Sequence, residues 1–299
     1  MLDPGASVGR IVRPSWQTTA LADFTPLNNI MFKSDKFIYI QMQKTGCTHI
    51  AKLLSELFDG EQLGKHNAAT PDQIQSDRHF ISSIRNPWDW YISLWTFGVQ
   101  GNGGLFQRLT TKNLLPHVKA SISNPRRNYP GLVNELSRDA SLWTRLYDDS
   151  DNVESFRTWL RSIHDPSNSL SIGEGYGNTK ISSFCGFMTY RYLYLCCANS
   201  DLLAKSVANK SDLKDYEKDN CYIDSFIRQE SLECDLCLAI ENVRSISQEE
   251  REFIYKAKKT NTSKRSLSAS DYYDEGSIEL VRSRDRLLID KFDYSPPNE

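Results

Sequence analysis

The stretch from Phe37 to Phe58 constrains this chain most. Phe37-Ile38-Tyr39-Ile40 is a short apolar run of the kind that forms a buried strand. Gln43-Lys44-Thr45-Gly46-Cys47-Thr48 follows, and then Ile50, Leu53, Leu54, Leu57 and Phe58 recur at helical spacing. A strand that ends in a Gly turn and opens into a helix points several backbone N–H groups, and the positive end of a helix dipole, at one spot. That geometry binds phosphate. Lys44 adds a mobile charge, the hydroxyls of Thr45 and Thr48 can donate to phosphate oxygens, and the N–H groups of Gly46, Cys47, Thr48 and His49 complete the cradle. The plain alternative is a tight strand-to-helix turn with no ligand. A nucleotide kinase or GTPase would carry G-x-x-x-x-G-K-[ST], with Lys after the second Gly. Here Lys precedes Gly, which argues against ATP or GTP hydrolysis.

A second unit follows the same plan. His79 to Ile84 reads as a strand, Asn86-Pro87 breaks it, and Trp88, Tyr91, Ile92 and Trp95 recur at i, i+3, i+4 and i+7. Two strand-to-helix units predict an α/β fold with a parallel β-sheet flanked by helices. Arg85, at the end of the second strand, and Ser93, two helical turns later, then face the crevice outside the carboxyl ends of the strands. Two anion-binding corners suggest a nucleotide with two phosphate groups. The spacing of Trp88, Trp90 and Trp95 reads first as core and second as a stacking surface for a base.

Around these units the organisation is coarser. Residues 1–35, with Pro4, Pro14 and Pro26, read as an irregular arm, with order beginning at Phe37. Glycines at 98, 101, 103 and 104, and again at 173, 175 and 177, read as mobile loops bracketing an inserted, mostly helical lobe. Ser247 and Glu250 have capping-box spacing. Ile278, Val281, Leu288 and Phe292 suggest one last helix, and Ser295-Pro296-Pro297 a frayed tail. The 299 residues are read as one domain, with 98–220 as a variable region.

Composition excludes several classes. Hydrophobic residues at 39% and charged residues at 25% are those of a folded globular chain. A formal charge of −2 sets no field for nucleic acid or an anionic membrane, so neither is expected as a partner. No apolar run reaches the length of a bilayer span, and the first residues lack the apolar core of a signal peptide, so a cytoplasmic protein is expected. Seven scattered cysteines fit reduced thiols better than a disulfide framework. Cys234-x-x-Cys237 has metal-like spacing but no second pair.

The two motifs together resemble the sulfotransferases that use 3′-phosphoadenosine 5′-phosphosulfate (PAPS). Phe37 to Phe58 is similar to the family's 5′-phosphosulfate loop, roughly strand, Pro-Lys-[Thr/Ser]-Gly-x-Thr, helix. His79 to Phe97 resembles its 3′-phosphate segment, where Arg85, Asn86-Pro87 and Ser93 match. Phe226 to Leu232 and Asn261 to Arg265 agree more weakly, the latter with the polar basic segment that closes over the 3′-phosphate. The likeness is nearest to bacterial and carbohydrate-type branches. Gln43 stands where the family usually has Pro, and Cys47 where Gly or Thr is common; residues 98–220 match nothing in the family.

The resemblance implies a P-loop-like sulfotransferase fold with an inserted helical lobe, PAPS as donor, adenosine 3′,5′-bisphosphate (PAP) as product, and no metal. It implies that Lys44 and the 45–49 loop hold the 5′-phosphate, and that Arg85 and Ser93 hold the 3′-phosphate with help from Lys264 and Arg265. His66, on the polar segment Lys65-His66-Asn67 between the motifs, is the expected base for a hydroxyl or amine of a small-molecule or carbohydrate acceptor. His49 and His79 read as structural, and Arg228 and Glu230 as either substrate-positioning groups or an ion pair. A monomer or homodimer is expected. The rival readings are a P-loop nucleotide kinase, which would need Mg²⁺ and a carboxylate, and a non-catalytic module binding nucleotides or sulfated ligands.

Overall fold

The computed structural model describes residues 31–63, 68–258 and 265–297. Five strands form one open sheet: β1 (Met31–Lys33), β2 (Phe37–Ile40), β3 (Glu61–Gln62), β4 (His79–Ile84) and β5 (Ser225–Arg228), in the order β3-β1-β2-β4-β5. The centre matches the sequence expectation. β2 runs parallel to β4, with Phe37 opposite His79 and Ile40 opposite Ser82, and β4 runs parallel to β5, with Ile84 opposite Arg228.

The expected parallel sheet is nevertheless mixed, because β1 pairs antiparallel with both β2 and β3. The reason is the length of the connection. Only Ser34 to Lys36 join β1 to β2, with the Ser34 hydroxyl accepting from the N–H groups of Lys36 (3.2 Å) and Phe37 (3.1 Å). So short a link can close a hairpin but cannot make the crossover that parallel pairing needs. The described part of what reads from sequence as an irregular arm therefore already holds a strand before Phe37, with Met31 and Phe32 buried at the sheet, and residues 1–30 of that arm lie outside the described residues.

Alternation along β2 divides two cores. Phe37 and Tyr39, with Ile81 and Ile227, pack against helices Cys47–Leu57, Leu232–Glu241 and Gln248–Lys256. Ile38 and Ile40, with Phe80 and Ile84, pack against helices Pro87–Val99, Val153–His164 and Phe187–Cys196. The fold is thus α/β, with helices on both faces of the sheet. The capping box of Ser247 and Glu250 opens helix Gln248–Lys256 as its spacing predicts.

Three smaller expectations are corrected. Gly98 is not in a loop but inside helix Pro87–Val99, where a Cβ would lie 2.3 Å from the Tyr147 ring, so its smallness allows a close approach. The last helix is two, Glu275–Arg284 and Arg286–Phe292, broken at Asp285. That carboxylate is buried and accepts from Tyr91 Oη (2.8 Å), Thr189 N (2.9 Å) and Thr189 Oγ1 (2.6 Å). The tail does not fray at Ser295 and Pro296: Asn86 Nδ2 donates to the Ser295 carbonyl at 2.8 Å, and Pro296 is buried.

Candidate functional site

The ends of the three parallel strands place Lys44, Arg85 and Glu230 on one edge of the sheet. After β2 the chain passes through Lys44 (φ 65°) and Gly46 (φ 78°), both left-handed, before helix Cys47–Leu57 begins. Gly46 caps that helix with its carbonyl, which accepts from Ile50 N at 3.1 Å, and no side chain caps the first-turn N–H groups. Amides left open at a helix N-terminus attract an anion.

The loop is held from both faces of the sheet. Beneath it, Thr45 Oγ1 donates to the Met42 carbonyl (2.7 Å) and meets Ser83 Oγ (2.6 Å), which in turn meets Tyr39 Oη (2.7 Å). From the other face, Trp90 Nε1 donates to the Gln43 carbonyl at 2.7 Å. Thr45 is fully buried, so its hydroxyl anchors the loop, and what it offers a ligand is its backbone N–H. Thr48 is exposed on the first turn, whereas the side chains of Cys47 and His49 turn inward. Cys47 can serve an anion only through its amide, and the His49 N–H already donates to the Gly46 carbonyl at 2.9 Å.

Arg85 leaves β4 beside this loop. Its Nη1 donates to the Lys44 carbonyl at 3.4 Å, and its Nη2 lies 3.7 Å from Asp89 Oδ1. Arg265 approaches the same Asp89 oxygen at 3.3 Å, which brings this residue, the described end of the weaker basic segment, into the Arg85 corner. Arg85 Nε and Gln43 Oε1 are buried with no hydrogen-bond partner among the described residues. Ser93 is buried on helix Pro87–Val99 one turn beyond Asp89, and so on the same helix face. Arg85 and Arg265 thus share the Asp89 carboxylate, Glu230 also lies within charge range of Arg85, and Lys44 joins them through its carbonyl.

Lys44 is lowered to about 8, by burial and then by the Arg85 charge. Its ammonium rests 3.8 Å from the centre of the Phe97 ring. Burial likewise lowers Arg85, with Asp89 and then Glu230 opposing. Half-buried cations lowered by burial and by a neighbouring cation, Lys44 by Arg85 and Arg85 by Arg265, are an arrangement an anion would relieve.

The remaining expected residues divide plainly. His66 and Lys264 lie outside the described residues. Ala69 and Thr70, just past His66, are fixed: Ala69 N donates to Tyr222 Oη (3.1 Å), and Thr70 caps helix Pro71–Ile74. Arg228 is held by Asp235, 3.0 Å away, which also accepts from Arg228 N and Ser231 Oγ, so its ion pair is with Asp235 rather than with Glu230. Glu230 accepts from Asn86 N at 2.7 Å and positions the turn after β4. His79 meets Ser225 Oγ at 2.8 Å and pairs with Asp224, a structural place. Trp88, Trp90 and Trp95 are buried in the core, as their spacing first suggests. In helix Leu232–Glu241, Cys234 is exposed and Cys237 buried, and among the described residues no group of three His, Cys, Asp or Glu is arranged to hold a metal.

Sequence reasoning missed Asp89 as the counter-ion, and the Tyr39–Ser83–Thr45 chain. A signal for the second existed: Ser82-Ser83 interrupts an otherwise apolar strand, and buried hydroxyls need partners. Comparison of the chain with protein-family models, with curated proteins and with solved structures yields no match.

Proposed function

We propose that this chain is a PAPS-dependent sulfotransferase with a P-loop-like donor site, transferring a sulfuryl group to a hydroxyl or amine of a small-molecule or carbohydrate acceptor. The observation that carries the reading is the adjacency of Lys44 and Arg85. Lys44 lies in the loop between β2 and helix Cys47–Leu57, whose first turn has no side-chain cap, and Arg85 follows the neighbouring parallel strand and donates to the Lys44 carbonyl. The donor has a phosphosulfate at one end and a 3′-phosphate at the other, so it needs two such corners. The residues present suit it: the orphaned Arg85 Nε is a donor in want of an acceptor, and the amides of residues 46–48, at a helix start with no side-chain cap, suit phosphate oxygens.

When bound, PAPS would supply an activated sulfuryl group whose leaving group is a phosphate. Lys44 neutralises the charge that develops on the 5′-phosphate, and the loop amides orient it. Arg85, Ser93 and Arg265 hold the 3′-phosphate. His66 takes the acceptor proton in this reading.

The test is transfer of labelled sulfate from PAPS to a panel of phenols, sugars and amines, with PAP affinity measured in parallel. Lys44→Ala and Arg85→Ala are expected to lose at least tenfold in PAP affinity, since each removes a charged contact of about 1.5–3 kcal/mol. His66→Ala is expected to keep PAP affinity and lose turnover. Unchanged PAP affinity in both cation variants would refute the donor site. Tight PAP binding with no transfer to any acceptor would point to the binding module instead.

A further inference from the structure

We propose that Cys197 and Cys221 form a dithiol modification site that a low-molecular-weight disulfide converts into a cross-strand disulfide. The backbone places them for it. Cys197 follows helix Phe187–Cys196, Cys221 follows helix Lys210–Asn220, and the two extended residues meet in an isolated antiparallel bridge. The bridge is bracketed by hydrogen bonds from Ala198 N to the Asn220 carbonyl (2.9 Å) and from Tyr222 N to the Cys196 carbonyl (3.1 Å). Cys197 and Cys221 are therefore the non-hydrogen-bonded pair of the ladder, the type whose Cα atoms approach to about 4.5 Å. A disulfide accepts Cα separations of roughly 4.4–6.8 Å, so closing the bond asks for no backbone movement.

The side chains agree with the backbone. Both thiols are free, and Tyr192 Oη lies 3.5 Å from Cys221 Sγ. Cys221 is the more accessible thiol, half-buried, whereas Cys197 is buried. The contact from Cys197, with help from Tyr192 and Lys291, pulls Cys221 down to about 7, while burial pushes Cys197 up. One thiol is thus disposed to attack and the other to resolve. Neighbouring Cys196 is turned elsewhere, with its Sγ 3.5 Å from Ser82 Oγ on β4.

The chemistry balances as a thiol–disulfide exchange. The Cys221 thiolate attacks one sulfur of RSSR, forming a mixed disulfide and releasing RS⁻. Cys197, after losing its proton to solvent, attacks the Cys221 sulfur and expels the second RS⁻. One S–S bond has formed in the protein, and RSSR has been reduced to two thiols.

The test uses the full chain, reduced and then incubated with oxidised glutathione. The treated protein is expected to lose two of its seven thiols on titration in denaturant, to yield a proteolytic fragment in which Cys197 and Cys221 are joined, and to regain both thiols with dithiothreitol. Cys197→Ser is expected to arrest the reaction at a glutathione adduct on Cys221, and Cys234→Ser to leave the cross-link unchanged. Retention of all seven thiols in the treated chain would overturn the proposal. So would a cross-link that joins Cys221 to Cys196, or a stable glutathione adduct on Cys221 when Cys197 is present.

Discussion

Replacing Lys44 by methionine should make the ligand-free protein more stable. The ammonium titrates near 10.5 when unperturbed and at about 8 in the fold, where burial and the Arg85 charge oppose it. Each tenfold change in proton affinity is worth about 1.4 kcal/mol, so keeping Lys44 charged costs the folded state about 3 kcal/mol at neutral pH. Lys44→Met removes the charge and keeps an unbranched stem. It forfeits the cation–π contact with Phe97, worth about 1 kcal/mol, and sulfur against the same ring recovers part of that. The expected gain is about 2 kcal/mol at pH 7, read by urea unfolding followed through tryptophan fluorescence.

The pH dependence supplies the second half of the test. Between about pH 8 and 10.5 the native state binds fewer protons at Lys44 than the unfolded chain, so the wild type gains stability as pH rises through that window. The advantage of the variant should shrink across the same window and be largely gone at its upper end. PAP affinity should fall at least tenfold in the variant, because the cation the anion would meet is gone. A variant less stable than wild type at pH 7, or one whose advantage does not change with pH, would refute the electrostatic argument.

Three further outcomes follow from the loop and the core. Gly46→Ala forces a Cβ into a left-handed residue (φ 78°) and against Leu232 Cδ1 at 3.0 Å; a loss of about 1–2 kcal/mol in chemical denaturation is expected, and no loss would mean the loop relaxes at no cost. Ser83→Ala leaves the buried Tyr39 hydroxyl without the partner beneath the loop and should cost about 1–3 kcal/mol. Full stability in that variant would show that the Tyr39–Ser83–Thr45 chain does not hold the loop. His164 is buried between the Leu160 carbonyl and Tyr91 Oη, and burial lowers it to about 4. The native state therefore binds fewer protons there than the unfolded chain between pH 6.5 and 4. Stability should fall by about 3 kcal/mol as pH drops through that range, and a urea midpoint that His164→Gln leaves equally acid-sensitive would assign the loss elsewhere.

Local pattern was enough for the centre of the sheet. The four-residue apolar run at Phe37 and the stretch from His79 to Ile84 each predict a strand, and the helical spacing after each predicts the helix that follows, because those signals lie within one element and its immediate turn. Ser247 and Glu250 were legible for the same reason. Lys44 and Arg85 could be named as candidates because Lys44 lies in the turn after one strand and Arg85 directly follows the next.

Other features depend on what meets across the sheet, and no local pattern carries that information. The antiparallel β1 comes from a three-residue link whose geometry matters only once β2 is present as a partner. The burial of Thr45 by Ser83 and Tyr39, the sharing of Asp89 by Arg85 and Arg265, the break of the last helix at Asp285 and the docking of Ser295 on Asn86 all join residues far apart in the chain. Periodicity in the chain thus decided which segments are strands and helices and where a cation follows a strand. Only the packing of those segments decided which hydroxyls are spent on structure, and which charges are left to receive an anion, because hydrogen bonds and ion pairs depend on distance in space and not on separation in sequence.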